Sequence, residues 1–356
     1  MQIDPDIQII NLFKSLLAFK IVICLSLGAL IECGKCPKEV DRRLILPCVC
    51  DDVVNNQIVC NSDKNFGLKR VFEYLTLTVD WRVRHFKRLI INAPELTELE
   101  SVTFGEITFQ EILILNARKL QRIHSHAFGK TRSSLKKLVI TNANQLNTSS
   151  EYNFFDALSS MNNIHEIEVN GVNVNAIPDY AFRPLMGSQW NLTNITIYGN
   201  LQKVGNYAFY DPSYWITKIS LGNEISFISA HAFDMRTVSH GTLIIDLSDN
   251  HLTADSFEAG VFLNSKRTLK LNLSNNRLTH FDEFIFEPFL ESNLMNQIDI
   301  KDNTLVCDCR MKWLLKNKAN YEKQIFNAVC ADGRPLWSLS VDEVLECKVN
   351  DVITDG

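Results

Sequence analysis

The chain has 356 residues, 46% apolar and 22% charged, with a formal net charge of −5 and a pI near 5.9. That balance excludes a disordered polymer, and the lack of any long block of like charge excludes nucleic acid and an anionic membrane surface as evident partners. Phe is frequent, at 21 residues.

In chain order, Lys14 and Lys20 come first, then an apolar run over 21–31, with Cys33 and Gly34 as small residues at a cleavage point. The run is well short of the roughly 20 residues of a membrane span, so residues 1–33 read as a signal peptide. Counted from Leu12, the same segment would instead be an uncleaved anchor, and the acidic Asp4 and Asp6 are untypical of a signal. No later stretch is long and apolar enough to span a bilayer, and the tail carries no lipid-anchor signal. The mature chain is therefore expected outside the cell, off the membrane.

Cysteine usage agrees. Besides Cys24 and Cys33 there are eight cysteines, Cys36, Cys48, Cys50 and Cys60 near one end and Cys307, Cys309, Cys330 and Cys347 near the other. An even count in an oxidising compartment implies disulfides. Zinc is disfavoured, because Cys-x-Cys is tighter than the usual ligand spacing. Each group of four allows three pairings and the sequence does not choose among them, although the two members of a Cys-x-Cys are poor partners for each other. Cysteines confined to the ends suit a solenoid, which must close two open faces. The expected divisions are an N-terminal cysteine cap over 34–75, repeats over 76–303, and a C-terminal cap and tail over 304–356.

Within the first cap, 57–60 reads as a strand and 68–75 as a short helix. Beyond it, pairs of apolar residues two apart recur at Leu89/Ile91, Leu113/Leu115, Leu138/Ile140, Ile167/Val169, Ile195/Ile197, Ile219/Leu221, Ile245/Leu247, Leu271/Leu273 and Ile298/Ile300. Such pairs point one way from a strand. The nine repeats are 24 to 29 residues apart, within the leucine-rich repeat range. The best-formed lies at 268–286, where Leu271, Leu273, Leu278, Phe281 and Phe286 would fill the coil. There Asn276 would bond the open N–H and C=O groups of its own turn and of the turn above. The same asparagine recurs at Asn200, Asn250 and Asn303, with Asn223 shifted by one. Pro94, Arg118, Ala143 and Val172 hold that slot in the first four repeats, so those turns must be satisfied otherwise. A trailing Phe recurs at Phe104, Phe128, Phe182, Phe209, Phe233 and Phe286. Longer insertions fall at 147–156, 184–190 and 254–260, all behind the strands. The expected fold is an α/β leucine-rich repeat solenoid, with a parallel sheet on the concave face, an irregular or short-helical convex face and a disulfide cap at each end.

The C-terminal segment Cys307-Asp-Cys-Arg-Met-Lys-Trp-Leu314, followed by Cys330 and Cys347, resembles the C-terminal cap of extracellular leucine-rich repeat proteins; Cys36, Cys48, Cys50 and Cys60 resemble the N-terminal one. The resemblance implies the pairs Cys36–Cys50, Cys48–Cys60, Cys307–Cys330 and Cys309–Cys347. Leu46-Pro-Cys-Val-Cys50, Cys60, Leu68-Lys-Arg-Val-Phe72 and Phe109-Gln-Glu-Ile112 together look like the secreted arthropod family similar to the oplophorus-luciferin 2-monooxygenase non-catalytic subunit. That likeness implies a secreted, non-catalytic partner protein.

Nothing in the chain marks catalysis. The eight histidines are scattered; His124 and His126 flank one serine, but surface histidine is their ordinary role. No nucleophile elbow, phosphate-binding glycine loop or His-Glu-x-x-His occurs, and no cofactor or metal is expected. A binding module makes a sharper statement. The residue between each strand's two core positions should face the concave surface, which gives Ile90, Ile114 and Val139, then Glu168, Thr196, Ser220, Asp246, Asn272 and Asp299. Asn92, Asn116, Thr141 and Asn170 lie two positions on, and Lys87, Arg88, Lys136 and Lys137 at the strand entries. An apolar stripe flanked by amides and basic residues suits a protein partner, here an extracellular protein such as a catalytic subunit or receptor. Strand propensity alone, or a cap segment lying over the stripe, would also account for it. A carrier of an apolar small molecule and a matrix or adhesion protein stay open as alternatives. Four sequons, at Asn147, Asn191, Asn194 and Asn272, offer glycosylation sites; a glycan at Asn272 would obstruct the concave face there.

Overall fold

The computed structural model describes residues 34–148, 153–183, 191–236, 241–262 and 265–344. The segment read as a signal peptide, the 184–190 insertion and Cys347 lie outside these ranges. Twelve strands form one sheet in strict sequence order: β1 (Cys48–Asp51), β2 (Gln57–Asn61), β3 (His85–Asn92), β4 (Thr108–Leu115), β5 (Lys137–Ile140), β6 (Glu166–Val172), β7 (Asn194–Gly199), β8 (Lys218–Asn223), β9 (Leu243–Asp246), β10 (Leu269–Asn272), β11 (Gln297–Asp299) and β12 (Ile325–Phe326). Only β1 and β2 are antiparallel; every later neighbour is parallel. Behind the sheet run two-residue strands such as Glu98–Leu99 and Lys203–Val204, 3-10 turns and a few helices. This is a leucine-rich repeat solenoid. The repeat strands are β3 to β11, while β1, β2 and β12 belong to the ends.

The core follows from the repeat. One side of each strand sends an apolar pair inward, Ile112 and Ile114 in β4 and the expected pairs in the other repeats, and these are essentially inaccessible to solvent. Opposite them the trailing phenylalanines pack ring against ring. Phe182 stacks on Phe209 at 5.0 Å and Phe209 on Phe233 at 5.4 Å. Phe262, which the sequence did not single out, extends the stack at 5.9 Å from Phe233. The helix α1 (Leu68–Thr78) buries Leu68, Val71, Phe72 and Leu75, the i, i+3, i+4, i+7 face of an amphipathic helix. Its Phe72 meets Phe104 and Phe109 edge-on at 5.3 and 5.8 Å, joining the cap to the repeats.

The asparagine ladder forms at Asn250, Asn276 and Asn303. Asn276 Nδ2 donates to the carbonyls of Leu273 and Ser274 in its own coil and of Leu247 in the coil before, at 2.9 to 3.2 Å, and its Oδ1 accepts from Leu252 N–H. Asn250 and Asn303 repeat the pattern one coil to either side. Asn200 and Asn223 do not join it. Both are exposed, and Asn200 Nδ2 donates to Asn173 instead. Earlier coils use a small buried residue in that slot, Ala93, Ala117 and Ala143, one position before Pro94 and Arg118 in the first two. Their turns close on backbone, with the N–H of Leu96, Leu120 and Leu146 donating to those alanine carbonyls at 2.9 to 3.0 Å.

Three disulfides close the ends, Cys36–Cys50, Cys48–Cys60 and Cys307–Cys330. They match the pairs implied by the cap resemblance. The fourth, Cys309–Cys347, involves a residue outside the described ranges. At the C-terminal end Trp313 is buried and its indole N–H donates to Phe281 O at 3.2 Å. Gln324, also buried, donates to the carbonyls of Leu290, Asn293 and Asn296. No helix among the described residues is long and apolar enough to cross a membrane.

Candidate functional site

The open face of the sheet carries one side chain per strand in each of several rows, and the pairing register defines the central one. It runs Val49, Val59, Ile90, Leu113, Val139, Glu168, Thr196, Ser220, Asp246, Asn272, Asp299 and Phe326. In the second repeat the expected register is off by one residue. Leu89 pairs with Ile112 rather than Leu113. Ile112 and Ile114 are therefore the inward pair, and Ile114 is 1% exposed, a core residue and not a surface one. Leu113 takes its place on the open face, with Leu115 beside it. A signal for this was in the chain: Ile112, Ile114 and Ala117 have the same spacing as Leu138, Ile140 and Ala143.

The row is apolar across its first five strands and polar from Glu168 to Asp299. It continues through the cap strands, so the cap lengthens the stripe instead of covering it. Exposure falls along it, from 63% at Val49 to 7% at Val139. The row's last member, Phe326, is again apolar and 39% exposed.

A second row, two residues earlier on each strand, reads Gln57, Arg88, Glu111, Lys137, Glu166, Asn194 and Lys218. Arg88 meets Glu111 at 2.6 Å and Lys137 meets Glu166 at 2.9 Å. The row is thus a ladder of alternating sign and not the basic edge expected from Arg88 and Lys137. Lys87 is exposed beside it, its backbone N–H held by Asn56, while the Lys136 carbonyl accepts from His165 and Glu166. Burial, with Lys136 adjacent, pushes the His165 imidazole pKa down.

The third row holds Asn61, Asn92 and Leu115 in register; Thr141 follows by its backbone bond to Ile114 O, then come Asn170 and Tyr198. Asn170 Nδ2 donates to Glu168 Oε1 at 3.0 Å. Asn116 is displaced from this row. It sits at φ +55° in the strand-exit turn, where its N–H donates to Thr141 Oγ1. Asn142, Asn275 and Asp302 adopt the same left-handed conformation in other repeats, which makes Asn116 a turn residue, since Asn tolerates that region. Burial, with Asp246 nearby, raises the Tyr198 phenol pKa, so it stays neutral.

Among the sequons, Asn147 is exposed. Asn191 donates to Asn163, and Asn194 accepts from Thr217. Asn272 is committed on both atoms, donating to Asp246 Oδ1 and accepting from the N–H and hydroxyl of Ser274. His124 and His126 lie on the far side, their ring centroids 5.6 Å apart. No group of three or more His, Cys, Asp or Glu among the described residues is placed to hold a metal.

Known proteins resemble this chain in the same terms. Residues 97–239 match the family model described as a BspA type leucine rich repeat region, in six copies. The chain is 24% identical over 282 residues to the Oplophorus-luciferin 2-monooxygenase non-catalytic subunit of Oplophorus gracilirostris, covering 71% of this chain and 73% of that protein. Among solved structures, human 5T4 (Wnt-activated inhibitory factor 1, trophoblast glycoprotein) aligns with a TM-score of 0.48 at 15% identity, over 84% of this chain and 98% of that one.

Proposed function

We propose that this leucine-rich repeat solenoid is a secreted, non-catalytic protein-binding module, whose extracellular partner docks on the open, concave face at strands β1 to β5. The observation that carries the reading is the unbroken apolar row Val49, Val59, Ile90, Leu113 and Val139, on a face whose other positions are mostly polar, with Ile244 and Phe326 as isolated apolar residues. Soluble proteins seldom leave such a stripe uncovered unless it meets a partner. Around it, Arg88, Asn92, Lys137, Thr141, Glu168 and Asn170 supply the polar rim that protein interfaces carry. The printed name of the relative from Oplophorus, a non-catalytic subunit, supports an accessory role. The disulfides support an oxidising compartment.

The test is the pair Ile90→Asp and Leu113→Asp in affinity capture from the source's secretions. Both variants should stay folded, at a cost of about 1 kcal/mol or less, and lose at least about ten-fold in partner recovery, as expected for truncating central apolar anchors. Full recovery by a correctly folded double variant would overturn the reading.

A further inference from the structure

We infer that the element seated on strands β1 to β5 is an amphipathic α-helix of the partner, lying across the strands, with one narrow apolar stripe and a basic end over Glu168. The inference rests on the proposed use of this face for protein binding, and three observations select the helix.

The first is spacing. The apolar row offers one side chain per strand, and neighbouring strands are about 4.8 Å apart. A helix returns a side chain to one face about every 5.4 Å, whereas an extended strand does so about every 6.7 Å and a polyproline helix about every 9 Å. Over the four steps from Val49 to Val139 the helix drifts by about 2.4 Å against the row, half a strand spacing. An extended peptide drifts by roughly 7 to 8 Å, more than one full strand.

The second is width. On one flank Arg88 and Lys137 are already neutralised by Glu111 and Glu166, and on the other stand Asn92 and Thr141. Only Leu115 broadens the apolar strip. A helix with a narrow seam of apolar residues fits such a strip, its neighbouring positions polar.

The third is charge. Directly after Val139 the row continues with Glu168, which is half-buried and has no cationic partner among the described residues; its one bond is from the Asn170 amide. Asp246, further along the row, already has Lys218 at 3.7 Å. A Lys or Arg at the helix end that reaches Glu168 would supply the missing charge, and the cost of a half-buried, unpaired carboxylate would be relieved.

The test uses two displayed libraries selected against the intact protein, one of single helices of 18 residues with randomised exposed positions and one of disulfide-closed β-hairpins. Helical binders should emerge with apolar residues at i, i+4, i+7, i+11 and i+14 and with Lys or Arg at one end. Leu113→Asp, in protein that remains folded, should weaken them at least about ten-fold, in keeping with loss of a central anchor. Glu168→Gln should weaken them several-fold at low salt and less at high salt, as a screened ion pair requires. Hairpin binders that are lost with Leu113→Asp would overturn the helix while leaving the face in place. Binders from either library that ignore Leu113→Asp would overturn both the helix and the face. Helical binders indifferent to Glu168→Gln would overturn the basic end.

Discussion

Leu113 and Ile114 are neighbours of nearly equal hydrophobicity with opposite fates, and the open face depends on which is which. Ile114→Asp would bury a carboxylate in a site that is 1% exposed; burial of an unpaired charge together with the lost packing should cost about 4 kcal/mol or more. Leu113→Asp should cost about 1 kcal/mol or less, since its side chain is partly solvated. Denaturant unfolding of the two variants measures the difference, and equal losses would return the strand to the other register. The asparagines give a second contrast. Asn276→Ala leaves the N–H of Leu252 unpaired in a buried turn and takes one of two donors from the carbonyls of Leu247, Leu273 and Ser274, a loss of about 1 to 3 kcal/mol. Asn200→Ala should stay within about 0.5 kcal/mol, because Asn200 is exposed and bonds only Asn173. The ladder was legible because Asn, a fixed spacing and the leucine pair coincide at Asn250, Asn276 and Asn303. In repeat two it was not, because Ile112, Leu113, Ile114 and Leu115 are all apolar and period-two alternation cannot phase four such residues. Only the distance to the small residue at Ala117 does.

At the scale of the element, each coil depends on its neighbours, so stability should be local along the solenoid. Removing Cys307–Cys330 by Cys330→Ser should cost about 2 to 5 kcal/mol. Amide exchange should rise first in β11 and β12 and leave β5 to β7 protected. Uniform loss of protection would show instead that the chain unfolds as a single unit. The end strands also show where sequence reading stopped short. The helix read at 68–75 and the strand read at 57–60 form, as Leu68–Thr78 and Gln57–Asn61, but Val49 and Val59 gave no sign that they continue the row of Ile90. That row is set by the antiparallel pairing of Val49 with Val59 and the parallel pairing of Val59 with Ile90, contacts between strands that spacing along one strand does not reveal. The expected basic edge failed for the same reason. Arg88 and Lys137 find Glu111 and Glu166 on the next strand over, 23 and 29 residues away in the chain.

For the whole molecule, one sheet has two surfaces of different character. From β6 to β11 the central row is carboxylate, amide and hydroxyl, cross-bonded as in Asn272 to Asp246, and partly open to solvent except at Ser220, which is 1% exposed. From β1 to β5 it is apolar, and there the proposed partner sits. Site-specific photo-cross-linking in the source's secretions separates the two most directly, with benzoylphenylalanine placed either at Leu113 in the apolar half or at Lys270 in the polar half. Lys270 is exposed on β10, on the same face and one row across from Asn272. A discrete protein adduct at 113 with none at 270 is the result expected. Adducts at 270 alone, or equally at both, would contradict the account.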